Sequence, residues 1–325
     1  MKHHKIAYGP FFRIPKLIAM TANAPASNPL PTEIGGDIRE FHWSWKGKPI
    51  TAVYEVLGEG KPILLLPAFS TISTRSEMAG VAQALAPQYQ AITLDWIGFG
   101  QSDRPAINYS PAVYRAFLQD FVRKLFAEPV VVIAAGHAAG YVMELAQKQP
   151  APWSWVVLTA PTWRGPLPTA LGEHRKVYKF LKFLIYTPIL GQILYLLNTL
   201  PPFLRFMIGR HVYSDRAHIT PNLMRQKWRT TQQRGARFAS AAFVTGGLDP
   251  IQTHEEWLSW FQPLPVPALM AIGEQTPPKS RAEMEIPALF CAVQVYRMPG
   301  ALGLHEEYAV ELVNGIMPFL NKYLS

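Results

Sequence analysis

Apolar and polar positions follow two rhythms along this chain, and each change of rhythm marks an element. Residues 39–46 and 51–57 alternate as strands do and meet at Gly47-Lys48, which predicts a hairpin. Residues 61–67 form a short unbroken apolar run, the pattern of a strand buried on both faces. Residues 75–86 suit a helix and 90–95 a further strand. Residues 110–127 open with Ser110 as N-cap and Pro111 at the first helical position, then repeat apolar residues at helical spacing. The run 129–135 is the most strongly β stretch, and it feeds a turn and a helix reaching about residue 149. Strands follow at 155–160, 267–272 and 293–298, and an amphipathic helix over 306–323 closes the chain. Strand–helix alternation of this kind predicts an α/β fold: a mostly parallel eight-stranded sheet with helices on both faces and antiparallel strands at one edge.

Between the sixth and seventh strands the pattern changes. Residues 162–262 read as a helical insertion, a cap within a domain spanning 38–325. Residues 1–37 read as an arm and an Ala/Pro/Asn-rich linker. The arm's apolar run is broken by Pro10, Arg13, Pro15 and Lys16, which favours a basic interfacial anchor over a cleaved signal.

Composition narrows the class. The 325 residues are 49% apolar and 16% charged, too apolar for a disordered chain. A lone cysteine, Cys291, excludes an intramolecular disulfide framework. The net charge of +9 is concentrated: residues 1–20 carry +4 and residues 161–237 carry +11. Such a field suits an anionic partner. Nucleic acid is disfavoured, because the basic residues are interleaved with aliphatic ones and no known module is present.

Three local motifs carry chemical meaning. Asp95-Trp96-Ile97-Gly98-Phe99-Gly100-Gln101-Ser102 follows the fourth strand, Gly136-His137-Ala138-Ala139-Gly140 follows the fifth, and Pro299-Gly300-Ala301-Leu302-Gly303-Leu304-His305-Glu306-Glu307 follows the last. In this order they resemble the capped branch of the α/β-hydrolase superfamily over about residues 38–323. The resemblance implies the α/β-hydrolase fold and a nucleophile at the centre of the second motif. That centre is Ala138, which has no atom able to attack a carbonyl. The family's acid position falls on Thr276 and its base position on Leu302, with His305 as the fallback base. Removing such a nucleophile costs on the order of 10⁶ in rate, so the expectation is a pseudoenzyme. The alternative is an ester or lipid hydrolase with a non-standard triad.

Other chemistry is thinly represented. Ser70 and Thr71 lie near the expected pocket mouth without an evident histidine partner, and Cys291 reads as a core residue. Asp249 is open between an alternative acid and a turn residue beside Pro250. His254, Glu255 and Glu256 are spaced too tightly for a metal site, and Gly98/Gly100 is no dinucleotide fingerprint, so no cofactor is expected. Backbone amides of Phe69 and Ala139 are candidate anion donors. Phe69, His137, Ala138, Ala139 and Trp163 are expected to line a pocket for an apolar small molecule.

Within the cap, Arg175, Lys179 and Lys182 share one helical face, with Val177, Phe180, Leu181 and Leu184 opposite. Residues 183–204 then contain no charge over 22 positions, but Pro188, Gly191, Pro201 and Pro202 favour short broken helices over a span. With Arg205 and Arg210 they read either as a cap whose apolar residues cover the pocket or as a peripheral surface for an anionic membrane or a membrane protein complex, and the two can hold together. Resemblance to hydrolase-like proteins of cyanobacteria and plastids implies a thylakoid accessory role; otherwise the expected place is the cytoplasm.

Overall fold

The computed structural model describes residues 31–172, 175–290 and 292–324. The arm and Cys291 therefore lie outside the described residues. The compact unit runs from Thr32 to Ser325.

Eight strands form one sheet in the order β1-β2-β4-β3-β5-β6-β7-β8. They are β1 (Asp37–Trp45), β2 (Lys48–Leu57), β3 (Pro62–Leu66), β4 (Gln90–Leu94), β5 (Val130–Ala135), β6 (Trp153–Thr159), β7 (Ala268–Gly273) and β8 (Val293–Met298). β1–β2 and β2–β4 pair antiparallel and every later pair is parallel. Burial follows position in the sheet. Every residue of β5 and β7 is buried, whereas edge strand β1 buries only Phe41.

Helices α1 (Ala79–Leu85), α2 (Pro111–Leu125) and α3 (Ala138–Ala146) connect the central strands. The crossover from β3 to β4 runs one way along the sheet and that from β4 to β5 runs back. Right-handed crossovers then place α1 and α2 on opposite faces. The reversal puts the carboxyl ends of β3 and β5 side by side, with Leu66 paired to Ala134. A crevice at such a switch point is where this architecture places ligands.

The insertion between β6 and β7 holds α4 (Pro166–Leu171), α5 (Arg175–Tyr186), α6 (Leu190–Asn198), α7 (Pro201–Met207), α8 (Pro221–Thr231), α9 (Ala236–Val244) and α10 (His254–Ser259). Then come α11 (Pro278–Ala288), the one-turn α12 (Leu304–Glu307) and α13 (Ala309–Leu324).

Two boundaries differ from the sequence pattern, each for a visible reason. The expected linker ends early, because buried Glu55 accepts hydrogen bonds from the amides of Glu33 (2.9 Å), Ile34 (3.1 Å) and Gly36 (2.8 Å). The closing helix begins at Ala309, not 306, because Glu306 and Glu307 are used to hold the cap.

The Asp-x-x-Gly-x-Gly-x-Ser turn is structural. The Asp95 carboxylate takes the Arg75 guanidinium at 2.5 Å and the Gln101 amide at 2.8 Å, while Ser102 Oγ donates to the Asp95 carbonyl. Arg75 also bonds Glu55 at 2.8 Å, and all three side chains are fully buried. Gly100, at φ +51°, is required there: a Cβ would sit 2.0 Å from the Asp95 carboxyl carbon.

Candidate functional site

At the end of β5 the chain turns sharply into α3. Gly136 takes a left-handed φ of +50°, and a Cβ on it would press on Ala68 at 3.0 Å. A Cβ on Gly140 would strike Pro250 at 2.7 Å. These two glycines permit the tight strand-to-helix turn. The strain associated with a nucleophile at its centre is missing, however. Among the described residues the non-glycine positive-φ positions are Lys46 and Ala160, and Ala138 simply begins a helix. The Ala139 amide already donates to the Gly136 carbonyl at 3.2 Å.

The expected ligand pocket at these residues is a correction. Phe69, His137, Ala138, Ala139 and Trp163 are each at most 3% accessible. Accessibility to a water-sized sphere counts internal voids as well as outer surface, so next to no room for water adjoins Ala138. Aromatic rings gather around the neighbouring Phe69 and His137. Phe69 stacks on Trp96 at 4.6 Å and meets Tyr114 at 4.9 Å, Tyr141 at 5.5 Å and His137 at 5.9 Å edge-on or tilted. Phe243, from the cap, closes on His137 at 5.5 Å. Trp163 turns elsewhere, its indole stacked on His254 and its face under Arg164.

His137 has an acidic neighbour that sequence reasoning missed. Its Nε2 lies 3.1 Å from the Leu248 carbonyl and 3.5 Å from Asp249 Oδ1, while Nδ1 is buried with no partner. Burial pushes the imidazole down to about 4, the Leu248 bond opposing only in part. The ring is therefore neutral near pH 7, with Nε2–H donating. Asp249 also accepts the Gly165 amide at 2.8 Å, so it ties the start of the cap to its end. Both side chains are engaged with backbone, His137 with the Leu248 carbonyl and Asp249 with the Gly165 amide. The sequence offered Asp249 as an alternative acid or a turn residue but not its pairing with His137, because the partners lie far apart in sequence.

The remaining expected positions do not assemble a relay. Thr276 follows β7 with Oγ1 buried and unbonded, and it borders an open groove of about 510 Å³ with Glu274, Gln275, Arg281 and Glu285. Ser70 Oγ accepts the Ile72 amide at 3.2 Å, a turn contact. Leu302 and Gly303 donate backbone hydrogen bonds to His211 (3.2 Å) and Val212 (2.8 Å) of the cap. His305 is buried with Nε2 3.8 Å from Glu77, and neither ring nitrogen has a hydrogen-bond partner.

This closing loop grips the cap instead. Lys227 of α8 reaches inward to Glu306 at 2.7 Å and Glu77 at 3.5 Å. Burial alone would lower its ammonium, but the two carboxylates outweigh that and hold it above its ordinary value. Glu307 accepts the Ser214 amide at 2.8 Å, the Asp215 amide at 2.7 Å and His218 Nδ1 at 3.2 Å.

Of the expected surface residues, Lys179, Arg205 and Arg210 are exposed, and Arg175 begins α5. Lys182 is a correction: it turns inward to the Tyr109 carbonyl (3.0 Å) and Asn108 Oδ1 (3.2 Å), and burial lowers its ammonium. Among the described residues no group of three His, Cys, Asp or Glu side chains is placed to hold a metal ion.

Comparison with known proteins agrees with this architecture. The structure superposes on bromoperoxidase from Bacillus anthracis with a TM-score of 0.67, at 18% identity over 87% of this chain and 100% of that one. It superposes on the haloalkane dehalogenase DatA from Agrobacterium tumefaciens at 0.68, with 15% identity over 90% of this chain and 99% of that one. An esterase from Thermogutta terrifontis gives 0.67, with 18% identity over 89% and 100%. At these identities the likeness is one of fold. Uncharacterized proteins of Mycobacterium bovis and Mycobacterium tuberculosis are 32% identical over 97 residues, 30% of this chain but only 28% of their own length. The sequence matches the Alpha/beta hydrolase family over residues 63–310, and the chain belongs to that family.

Proposed function

We propose that this is a non-catalytic member of its family, a binding or accessory protein that works at a membrane surface. One observation carries the loss of chemistry: the elbow centre is a fully buried methyl group, and rings of Phe69 and Phe243 close on its neighbour His137. A reaction needs an attacking atom and space for the acyl group beside it, and the site supplies neither. The altered acid and base positions agree, since Thr276 and Leu302 cannot relay a proton at neutral pH.

The competing reading is a carboxylic ester hydrolase with a non-standard triad, and family membership favours it. A p-nitrophenyl ester assay separates the two. The wild type is expected to match the buffer rate, and Ala138→Ser to remain there too, because no general base contacts the new hydroxyl. Wild-type turnover above the buffer rate overturns the non-catalytic reading.

A further inference from the structure

The cap presents its apolar side chains to water. Sixteen large apolar side chains are exposed among the described residues, and twelve of them fall between Leu171 and Phe206, at 40–78% accessibility. They recur at helical spacing: Val177, Phe180 and Phe183 along α5, Ile189, Ile193 and Leu197 along the start and body of α6. A soluble monomer rarely carries so dense an apolar array, which marks an interaction surface.

Charge decides the partner. From Arg175 to Ser214 the sequence contains no Asp or Glu. Lys176, Lys179, Arg205 and Arg210 stand exposed among the apolar side chains, and the Arg210 guanidinium lies over the Phe206 ring. Two copies meeting on this face would bring those cations together without a counter-charge from the same segment, a repulsive match in a two-fold contact. An anionic lipid surface turns the same cations into attraction and takes up the apolar side chains.

Length decides the mode. α5 has 12 residues and α6 has 9, and the two are bent by 106° at their junction. At about 1.5 Å per residue each is far shorter than a hydrocarbon core of about 30 Å. No single helix among the described residues is long and apolar enough to cross a membrane. Short broken helices suit burial in the plane of the interface. We infer that α5, α6 and α7 form a monotopic docking face that seats the protein on an anionic bilayer, apolar side chains among the acyl chains and the exposed cations at the headgroups. Lys182, directed at Tyr109 and Asn108, holds α5 to the body beneath. The inference rests on the membrane part of the proposed function and not on the loss of chemistry.

Co-sedimentation tests it, with vesicles of phosphatidylcholine alone and of phosphatidylcholine mixed with phosphatidylglycerol, at low and high salt. The intact protein is expected to bind the anionic vesicles at low salt and to lose about tenfold in affinity at high salt. Phe180→Ser with Phe183→Ser should abolish binding, and Lys179→Gln with Arg210→Gln should weaken it about tenfold. Unchanged thermal unfolding would show that both variants stay folded, since the four positions are exposed. No binding to anionic vesicles at low salt overturns the inference, as does binding indifferent to the phenylalanine pair. A dimer that the phenylalanine variant disperses, with no vesicle binding, assigns the face to a second copy and also overturns it. Vesicle binding that is lost on deletion of residues 1–30 and kept by the phenylalanine variant overturns it in favour of the arm. Ester turnover by a vesicle-binding wild type would sink only the non-catalytic reading.

Discussion

At the elbow, Phe69 and Ala138 are out of water's reach; on the cap, Phe180 and Ile189 stand 60% and 78% exposed. The two regions place apolar side chains in opposite ways, and in each the placement is unusual. A catalytic elbow needs a polar atom in an open cleft, and here it has a methyl sealed from solvent. A surface helix ordinarily faces water with polar side chains, and here α5 and α6 show it leucine, isoleucine and phenylalanine. Stability explains the first arrangement, since filling a cleft buries apolar area and removes voids. It does not explain the second, because an exposed phenylalanine gains nothing from the fold. Under the proposed function the elbow is a retired site, and under the docking proposal the cap is one in use.

Four variants sharpen or break that contrast. The largest effect is expected at the buried ion pairs of Arg75. Arg75→Met would leave Glu55 and Asp95 buried without their shared cation, at a cost of about 3–5 kcal/mol in urea unfolding. Loss of less than about 1 kcal/mol would mean that water reaches these carboxylates. Ala138→Ser places a hydroxyl in the sealed elbow, and an unpartnered buried hydroxyl costs about 1–3 kcal/mol. A neutral or stabilising outcome would mean that the elbow has room and a partner after all.

The third effect depends on pH. The unfolded imidazole of residue 137 titrates near its ordinary value of 6.5 and the buried one near 4. The unfolded chain therefore binds more protons between those values. Stability from this group is complete above about pH 6.5 and falls as pH drops toward 4, by about 2 kcal/mol at pH 5. His137→Gln should remove that part of the slope in unfolding experiments run at pH 8 and pH 5. An unchanged slope would show that His137 is not sealed from solvent. The smallest effect belongs to the cap. Phe180→Ser with Phe183→Ser is expected to change stability by no more than about 0.5 kcal/mol per site, as exposed positions do. A substantial loss would mean that the face is packed against something within the molecule.

Much of the architecture was legible from the chain alone. Unbroken apolar runs such as 130–135 identify central parallel strands because both their faces are covered, and the glycines at 136 and 140 announce the turn between them. That an alanine stands at the centre of this turn was equally plain. The state of the pocket was not. Phe69, Tyr141 and Phe243 come from three distant parts of the chain, and no periodicity shows that their rings converge on His137. Nor could spacing show that Asp249 reaches His137, or that Lys227 crosses to Glu306. Helical periodicity divides α5 into a basic and an apolar face, but solvent meets parts of both, since Lys179, Val177 and Phe180 are all exposed. It placed Lys182 among surface cations, whereas tertiary contacts with Tyr109 draw it inward.

The most direct test of the retired site avoids any guess about substrate. Treat the intact protein with an activated fluorophosphonate, which phosphonylates serines made nucleophilic by a neighbouring base, and read the intact mass. The expected result is an unmodified wild type and an unmodified Ala138→Ser variant. A single stoichiometric adduct on the wild type would reveal an activated serine and contradict the account.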